Sequence, residues 1–363
     1  MERIDVVVVG AGVTGLAAAL ALAARGLSTC VLERHPRPGL DTSTHNSGVI
    51  HAGIYYPAGT LKASLCLDGR RRLYEFCAAH GVPHARTGKI IVAIEPQEIA
   101  ALEGLLARGR ANGVEGLALV DSAFVAAREP HVRAAAALYS PESGIVDAEA
   151  LVKALLGAAE RAGAIFLPGT RLIGADSRPE AIEIHTERET IRAGQVVNAA
   201  GLHADEVSRM LGGESFTIHP CRGEYAEFTP SSRHLVNSLV YPLPQPHGLG
   251  VHFVKTMGGE VWLGPTVLYQ DRKDDYECNR LPLEAFVEPA RRLIPGVTLA
   301  DLRPSGSGIR AKLHPPEASF ADFLIRRDRV NRLLIHAAGI ESPGLTACLA
   351  VGQLVSDIVN EAR

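Results

Sequence analysis

Hydrophobic and polar positions divide the N-terminal part of the chain into alternating buried runs and helical stretches. Ile4 to Val9 is a continuous apolar run rich in β-branched residues, as expected for a strand buried on both faces of a parallel sheet. Val13 to Arg25 is rich in Ala and Leu and predicts a helix that ends at Gly26. Ser28 to Glu33 predicts a second strand. This order indicates a βαβ unit.

The pattern changes twice further along the chain. Helices are predicted for Leu61 to His80, Gln97 to Arg110, the stretch capped by Asp147 that ends at Arg161, and Leu345 to Asn360. Short extended runs between Ala164 and Ala200 predict a β-meander that returns to a central parallel strand, and Arg332 to His336 predicts a late buried strand. Helix and strand patterns thus alternate at both ends of the chain.

The middle of the chain, from Phe216 to Pro304, alternates β runs with Pro- and Gly-containing turns, which favours an antiparallel sheet. The expected fold class is α/β, organised as two domains in the α+β sense. A Rossmann-like domain with a parallel sheet and a β-meander is assigned to 1–85, 142–212 and 303–363. A second domain with a mostly antiparallel sheet is assigned to 86–141 and 213–302.

Composition excludes several classes of protein. The 363 residues are 47% apolar and 21% charged, typical of a globular protein of about two domains at roughly 150 residues each. A net charge of −3 gives no excess of basic residues for nucleic-acid binding. The six cysteines are scattered without a CxxC pair, so we expect reduced thiols, a cytoplasmic location and no metal site. No apolar run is long enough to span a membrane.

A nucleotide-binding motif follows the first strand. Gly10, Gly12 and Gly15 form GxGxxG at the opening of a helix, where backbone N–H groups and the helix dipole favour a pyrophosphate. Glu33 ends the next strand and can accept hydrogen bonds from an adenosine ribose, which argues against NADP. NAD and FAD both fit this unit. The loop from Thr42 to Pro57 interleaves glycine with hydroxyl and amide residues that can follow a ribityl chain, and this favours FAD.

Several longer motifs carry a family resemblance that covers nearly the whole chain. They are HNSGVIHAGIYY (His45 to Tyr56), VVNAAGLHAD (Val196 to Asp205), GIESPGLTA (Gly339 to Ala347), YPLPQP (Tyr241 to Pro246), GLGVHF (Gly248 to Phe253) and VWLGP (Val261 to Pro265). In these motifs the chain resembles the FAD-dependent oxidoreductases of the D-amino-acid-oxidase superfamily, and within it the L-2-hydroxyglutarate dehydrogenase/oxidase branch. The sequence around His247 departs from the pattern that is usual in this branch.

The resemblance implies a non-covalently bound FAD in the first domain and a substrate site in the second. Its pyrophosphate would lie on Gly10 to Thr14, its ribose on Glu33 and its flavin near Thr44 to Gly53. Leu345 and Thr346 are the expected donors at the pyrimidine end of the flavin. The cofactor residues implied are Gly10, Gly12, Val13, Thr14, Gly15, Glu33, Arg34, Thr44, His45, Asn46, Ser47, Gly48, Ala199, Gly201, Gly339, Gly344, Leu345 and Thr346.

The resemblance also implies oxidation of a 2-hydroxy acid, specifically L-2-hydroxyglutarate to 2-oxoglutarate. We expect hydride transfer to flavin N5, because removing an unactivated Cα proton is the harder step. Arg310 is the expected carboxylate-binding residue, because a guanidinium can hold a carboxylate through two parallel hydrogen bonds. A structural pair with Asp301 or Asp322 is the alternative. His51 is the preferred base and His252 the other candidate, since imidazole titrates near neutrality. Tyr241 is a further candidate catalytic residue.

Other functions remain open at this point. An amino-acid or amine oxidase of the same superfamily would use Arg310 equally well, and a non-catalytic FAD-binding protein is the third interpretation. A dicarboxylate would need a second cation, for which Arg222, Lys255 and Lys312 are the candidates.

A single GxGxxG leaves oxygen, a quinone or an electron-transfer protein to reoxidise the flavin. Quinone use would require peripheral contact with the inner face of the membrane. The basic run Arg70 to Arg72 is the candidate for this contact, and a solvated helix face is the alternative.

Overall fold

The computed structural model describes residues 3–244 and 250–361, so parts of the YPLPQP and GLGVHF motifs, and the departure noted at His247, lie outside the described residues. The α-helices of the described residues are α1 (Val13–Ala23), α2 (Leu61–His80), α3 (Ile99–Ala111), α4 (Ser122–Arg128), α5 (Ala148–Arg161), α6 (Ala204–Met210), α7 (Glu284–Leu293) and α8 (Gly344–Asn360).

The strands of the same residues are β1 (Arg3–Val9), β2 (Thr29–Leu32), β3 (Val49–Ile50), β4 (His84–Ala85), β5 (Lys89–Ala93), β6 (Ala118–Asp121), β7 (Ala136–Ser140), β8 (Gly144–Val146), β9 (Ile165–Leu167), β10 (Leu172–Arg178), β11 (Ala181–Thr186), β12 (Thr190–Asn198), β13 (His219–Phe228), β14 (Leu239–Pro242), β15 (His252–Lys255), β16 (Val261–Gly264), β17 (Leu268–Tyr269), β18 (Leu302–Lys312), β19 (Leu324–Arg327) and β20 (Leu334–Ala338).

The first large sheet is built around β1. Strands β12, β1, β2 and β9 run parallel, β20 joins β12 in parallel, and β10 and β11 extend the sheet as an antiparallel meander. Val6, Val7 and Val8 of β1 are fully buried, each contributing on the order of 1.5–3 kcal/mol. Helix α1 packs against α5 and α8 over this sheet. The chain therefore has the expected parallel sheet with its meander.

The second large sheet is mostly antiparallel. Its strand order is β17-β13-β16-β15-β14-β5-β7-β6, with β18 also paired to β13, and of its strand pairs among the described residues β14 with β5 is parallel. Strand β18 pairs along β13 from Leu302 to Lys312. The strand that carries Arg310 therefore belongs to this sheet, although the division drawn from the sequence places it with the cofactor domain. That division stays a proposal.

Three helices among the described residues, α4, α6 and α7, were not predicted from the sequence. Helix α7 lies within the segment expected to be strands and turns, and its buried residues Phe286, Val287, Ala290 and Leu293 follow helical spacing. Pro289 stands inside this helix and gave the segment the appearance of a turn. In contrast, α2 has the predicted bounds, because Thr60 caps its start and Gly81 takes the left-handed conformation after its end.

A short third sheet has the order β3-β8-β4, and its strand β3 is formed by Val49–Ile50 within the HNSGVIHAGIYY motif. Within the described residues, the helices are too short or too polar for any of them to cross a membrane. Arg70, the first residue of the basic run in α2, is buried beside Glu142 and does not contribute to a basic surface.

Candidate active site

A cavity of about 450 Å³ runs from the carboxyl ends of β1 and β12 to the face of the second large sheet. At one end it is lined by Gly10, Gly12 and Glu33, and at the other by Tyr241 and Arg310. The cavity therefore connects the nucleotide motif of the first sheet with the substrate residues proposed on the second.

The glycine loop is packed too closely for side chains. Gly10 has a φ of +105°, and a Cβ there would lie 2.5 Å from the carbonyl oxygen of Ala199. A Cβ on Gly15 would overlap the carbonyl oxygen of Gly10, so this glycine lets α1 pack on the loop. Gly12, the N-cap residue of α1, has no side chain to cap the helix, and the Ser43 hydroxyl accepts from the backbone N–H of Val13 at 3.0 Å. The start of the helix is thus a backbone cradle of the kind that binds a pyrophosphate.

Glu33 and Arg34 line the next part of the cavity. The Glu33 carboxylate accepts from the backbone N–H of Ala11 at 2.8 Å and from that of His35 at 2.9 Å. Each oxygen keeps a second lone pair for a ribose hydroxyl. Arg34 pairs with Asp41 at 2.9 Å. The donor and acceptor set at this end fits an adenosine ribose next to a diphosphate, so the residues present fit FAD.

The predicted cofactor residues fall into two groups. Those lining the cavity are Gly10, Gly12, Val13, Thr14, Glu33, Arg34, His45, Asn46, Ser47, Ala199, Gly201, Gly344 and Leu345. Those outside its lining are Gly15, Thr44, Gly48, Gly339 and Thr346. The second group supports the first: the Thr44 hydroxyl donates to the Gly39 carbonyl, and the Thr346 hydroxyl accepts from the backbone N–H of His51 at 3.0 Å.

A stack of three side chains forms the floor of the cavity at its substrate end. The Tyr241 and His252 rings are stacked with their centroids 3.7 Å apart. On the Tyr241 ring lies the ammonium group of Lys89, whose Nζ is 4.2 Å from the ring centroid and 5.3 Å from that of Tyr55. Lys89 is 1% exposed, and this burial lowers its pKa to about 7. The stack therefore puts an amine behind the aromatic floor of the site, and this amine is positively charged below about pH 7.

His252 has a defined tautomer. Its Nδ1 lies 2.8 Å from the carbonyl oxygen of Gly250, and since a carbonyl only accepts, Nδ1 carries the proton. Nε2 therefore keeps its lone pair. Burial, with the positive charges of Lys89 and Arg310, lowers the pKa of His252 to about 3. The ring is neutral near pH 7.

His51 reaches the same cavity from the loop before α2. Its Nε2 lies 3.2 Å from the Ser342 hydroxyl, which is 3.3 Å from the Tyr56 hydroxyl. Nδ1 is enclosed and has no hydrogen-bond partner among the described residues, so Nε2 is the nitrogen able to exchange a proton with a substrate. Burial, together with Lys89 and His252, lowers the pKa of His51 well below its usual value. Its proton-accepting form is present at neutral pH.

Arg310 lies on β18 with its guanidinium in the cavity. Both Nη atoms donate to the carbonyl oxygen of Thr266 at 3.2 Å, and no carboxylate pairs with Arg310 in the part of the chain that the structure describes. The structural alternative fails because Asp322 accepts from the backbone N–H groups of Leu61 and Lys62, and Asp301 caps the turn at Thr298. A partly buried guanidinium in a cavity, with no carboxylate partner among the described residues, suits an anionic ligand.

The structure also brings in residues that the sequence analysis did not select. Lys62 and Glu341 line the cavity and form an ion pair at 2.8 Å, and Ser342 and Phe320 line it beside them. Glu341 and Ser342 belong to the quoted GIESPGLTA motif, which was the available signal for them. Lys62 lies on α2, far from Glu341 in the sequence, and it reaches the cavity because α2 packs against α8 in the fold.

The three residues proposed from the sequence to bind a second carboxylate of the substrate differ in whether they line the cavity. Arg222 is fully buried and pairs with Glu224 at 2.9 Å, and it is absent from the lining of the cavity. Lys255 at the end of β15 is likewise outside the lining. Lys312 lines the cavity. Of the three, Lys312 is therefore the one placed to contact a ligand.

Comparison with known sequences agrees with this architecture. A profile of the family described as FAD dependent oxidoreductase matches residues 5–358. L-2-hydroxyglutarate dehydrogenase, mitochondrial, of Arabidopsis thaliana is 35% identical over 403 residues, covering 98% of this chain and 83% of that protein. The protein of the same name from Homo sapiens is 31% identical and is covered to 89%. L-2-hydroxyglutarate dehydrogenase of Indibacter alkaliphilus is 29% identical and is covered to 98%.

Solved structures share the fold over nearly the whole chain. Dithionite-reduced L-alpha-glycerophosphate oxidase from Mycoplasma pneumoniae with FAD bound superposes with a TM-score of 0.91 at 26% identity, covering 99% of this chain and 95% of that one. Glycine oxidase from Geobacillus kaustophilus, at 24% identity and a TM-score of 0.84, supports the fold alone. The expected α/β fold class is confirmed.

Proposed function

The chain belongs to the family of FAD-dependent oxidoreductases, and from this premise we propose that it oxidises L-2-hydroxyglutarate to 2-oxoglutarate. The observation that carries the proposal is the cavity, which joins the glycine cradle to a guanidinium without a carboxylate partner among the described residues. The names of the relatives from plant, animal and bacterium support the choice of substrate.

The chain's own residues hold the cofactor through two sets of contacts. The backbone of Gly10 to Thr14 binds the diphosphate, and the Glu33 carboxylate accepts from the ribose. At the other end, the backbone at Gly344 and Leu345 opens α8 toward the cavity, where a helix N-terminus favours negative charge. FAD, when bound, supplies a two-electron acceptor for the hydrogen on the hydroxyl-bearing carbon.

Arg310 orients the substrate by its carboxylate. The guanidinium is fixed by the Thr266 carbonyl and can bind both oxygens of a carboxylate in one plane. Such a contact fixes the direction of the neighbouring carbon as well as the position of the anion. The hydroxyl group of the substrate is then directed at the histidines across the cavity.

His51 accepts the hydroxyl proton at Nε2. The proton-accepting form of the ring is present because burial and Lys89 hold its pKa low. Because Nε2 has only one lone pair, the substrate hydroxyl takes the place of the Ser342 hydroxyl, which lies 3.2 Å from Nε2 and 3.3 Å from the Tyr56 hydroxyl. His252, whose Nε2 is also unprotonated, binds the same hydroxyl from the Tyr241 side of the cavity.

An anaerobic reduction experiment tests the function. The purified FAD-loaded enzyme is mixed without oxygen with L- or D-2-hydroxyglutarate, malate, lactate, or a panel of D- and L-amino acids. Rapid loss of the visible flavin absorbance with L-2-hydroxyglutarate supports the proposal. Reduction by amino acids alone would reassign the enzyme to amine oxidation, and a flavin that no acid reduces would indicate a non-catalytic role.

We also propose that the enzyme works in the cytoplasm and passes its electrons to oxygen, a quinone or an electron-transfer protein. All six cysteines are free thiols, the usual state in a reducing compartment. Measuring turnover with oxygen, a soluble quinone or a dye, together with fractionation of cells, tests both points. Recovery in an organelle fraction would contradict the location, whereas recovery in the membrane fraction would favour a quinone as the acceptor.

A further inference from the structure

We propose that Lys312, with Lys62 beside it, forms a second anion subsite that binds the distal carboxylate of the substrate and restricts the enzyme to 2-hydroxy dicarboxylates. This inference rests on the proposed oxidation of a 2-hydroxy acid at Arg310. It adds the residues that distinguish a dicarboxylate from a monocarboxylate.

The first observation is the strand geometry. Arg310 and Lys312 are two residues apart on β18, so their side chains leave the same face of the strand about 7 Å apart. Both line the cavity, whereas Ala311 between them is buried in the sheet. A short dicarboxylate held at one end by Arg310 therefore extends along the strand toward Lys312.

The second observation is the excess of positive charge around Lys312. Its Nζ lies 2.7 Å from one oxygen of Glu341, and Nζ of Lys62 lies 2.8 Å from the other. Two ammonium groups thus share one carboxylate, and the cluster carries a net charge of +1. Burial alone would raise the pKa of Glu341, but the two ammonium groups lower it to about 2. The Glu341 carboxylate is therefore ionised at neutral pH, and it balances one of the two ammonium groups.

The third observation is that the cluster has donors left for a ligand. An ammonium group has three N–H donors, and Glu341 takes one from each lysine. The side chains are only 5% and 15% exposed for Lys62 and Lys312, and both line the cavity. His314 Nδ1 lies 2.9 Å from the Pro315 carbonyl and therefore donates, so its Nε2 accepts from Nζ of Lys312 at 3.4 Å, which leaves one donor on Lys312 and two on Lys62. A carboxylate that binds here accepts hydrogen bonds from ammonium groups that burial has removed from water, and its negative charge balances the excess positive charge.

The test compares two substrates that differ only at the distal end. L-2-hydroxyglutarate has a distal carboxylate, and L-2-hydroxyvalerate has a methyl group in its place. We expect the wild-type enzyme to prefer the dicarboxylate, and Lys312→Met to lower kcat/KM for it by about 10- to 100-fold, mainly through KM. Activity on L-2-hydroxyvalerate should change little. Lys312→Arg, which keeps the charge, should retain most of the preference.

Binding provides a readout that needs no turnover. Glutarate, which lacks the reactive hydroxyl, should perturb the flavin spectrum of the wild-type holoenzyme and bind Lys312→Met more weakly by a similar factor. Lys255→Met is the matched control, because Lys255 lies outside the lining of the cavity. This variant should have the wild-type kcat/KM for both substrates and the wild-type affinity for glutarate.

The outcomes separate this inference from the function on which it rests. If the wild-type enzyme oxidises both substrates equally well, or if Lys312→Met affects both alike, the second subsite is wrong and the function stands. The same holds if Lys255→Met shifts the preference as much as Lys312→Met. If neither acid reduces the flavin in the wild-type enzyme, the proposed function itself fails.

Discussion

The two ends of the cavity are built in different ways. The nucleotide end is mostly backbone from one stretch of chain, in which Gly10, Gly12 and Glu33 follow one another in a βαβ unit. The substrate end is made of side chains from separate strands: Lys89, Tyr241, His252 and Arg310 lie on β5, β14, β15 and β18. The first depends on local conformation, and the second on how distant segments pair. Changes at the two ends should therefore affect different properties of the enzyme.

The largest effect is expected at the nucleotide end. Gly10→Ala places a Cβ 2.5 Å from the Ala199 carbonyl at a positive φ, so the loop must shift at a strain cost of about 1–3 kcal/mol. We expect most of the FAD to be lost, measured as flavin absorbance per protein and as a lower Tm. Gly104→Ala in α3, where nothing lies within 4 Å, is the control and should keep its flavin. A fully loaded, stable Gly10→Ala protein would refute the cradle.

At the substrate end, His51→Gln should cost the most. Loss of a general base typically lowers kcat by about 10²- to 10⁴-fold, while the flavin content should stay normal because His51 is not part of the cradle. His252→Gln, measured in parallel by stopped-flow flavin reduction, should have the smaller effect. A larger effect for His252→Gln would assign the base to that residue instead.

Arg310→Ala comes next. Removing the guanidinium should cost roughly 2 to 4 kcal/mol of transition-state stabilisation, about 30- to 1000-fold in kcat/KM. FAD content should again be unchanged. Arg310→Lys should recover only part of the loss, because one ammonium group cannot bind both oxygens in a plane. Near-normal kinetics for Arg310→Ala would remove it from the site.

The smallest effect concerns the buried ammonium of Lys89. Its pKa is lowered from 10.5 to about 7 in the folded protein, so between these values the unfolded chain binds the proton and the folded chain does not. Stability should therefore rise with pH from about 7 toward 10 through this group. Lys89→Met should remove that rise, seen as the difference in Tm between wild type and variant across the pH range.

Lys153→Met serves as the comparison for that measurement, since Lys153 is exposed on α5 and its ion pair among the described residues is with Glu149. Its Tm difference from the wild type should not vary with pH in the same way. A pH-independent difference for Lys89→Met would mean that Lys89 keeps an ordinary pKa in the folded protein.

The same contrast explains what could be predicted from the sequence. The bounds of α2 were predicted because Thr60 and Gly81 mark them locally. Helix α7 was missed because Pro289 hides its apolar spacing. Arg310 and the two histidines could be proposed only through the family resemblance. Nothing local joins Lys62 on α2 to Glu341 before α8, so their ion pair depends on the tertiary fold.

A structure of the protein with FAD and 2-oxoglutarate bound tests the central claim most directly. We expect the diphosphate on the backbone of Gly10 to Thr14, and the carboxylate next to the oxo group on Arg310, facing His51. A flavin bound elsewhere, or an acid whose carboxylates both lie away from Arg310, would contradict the account.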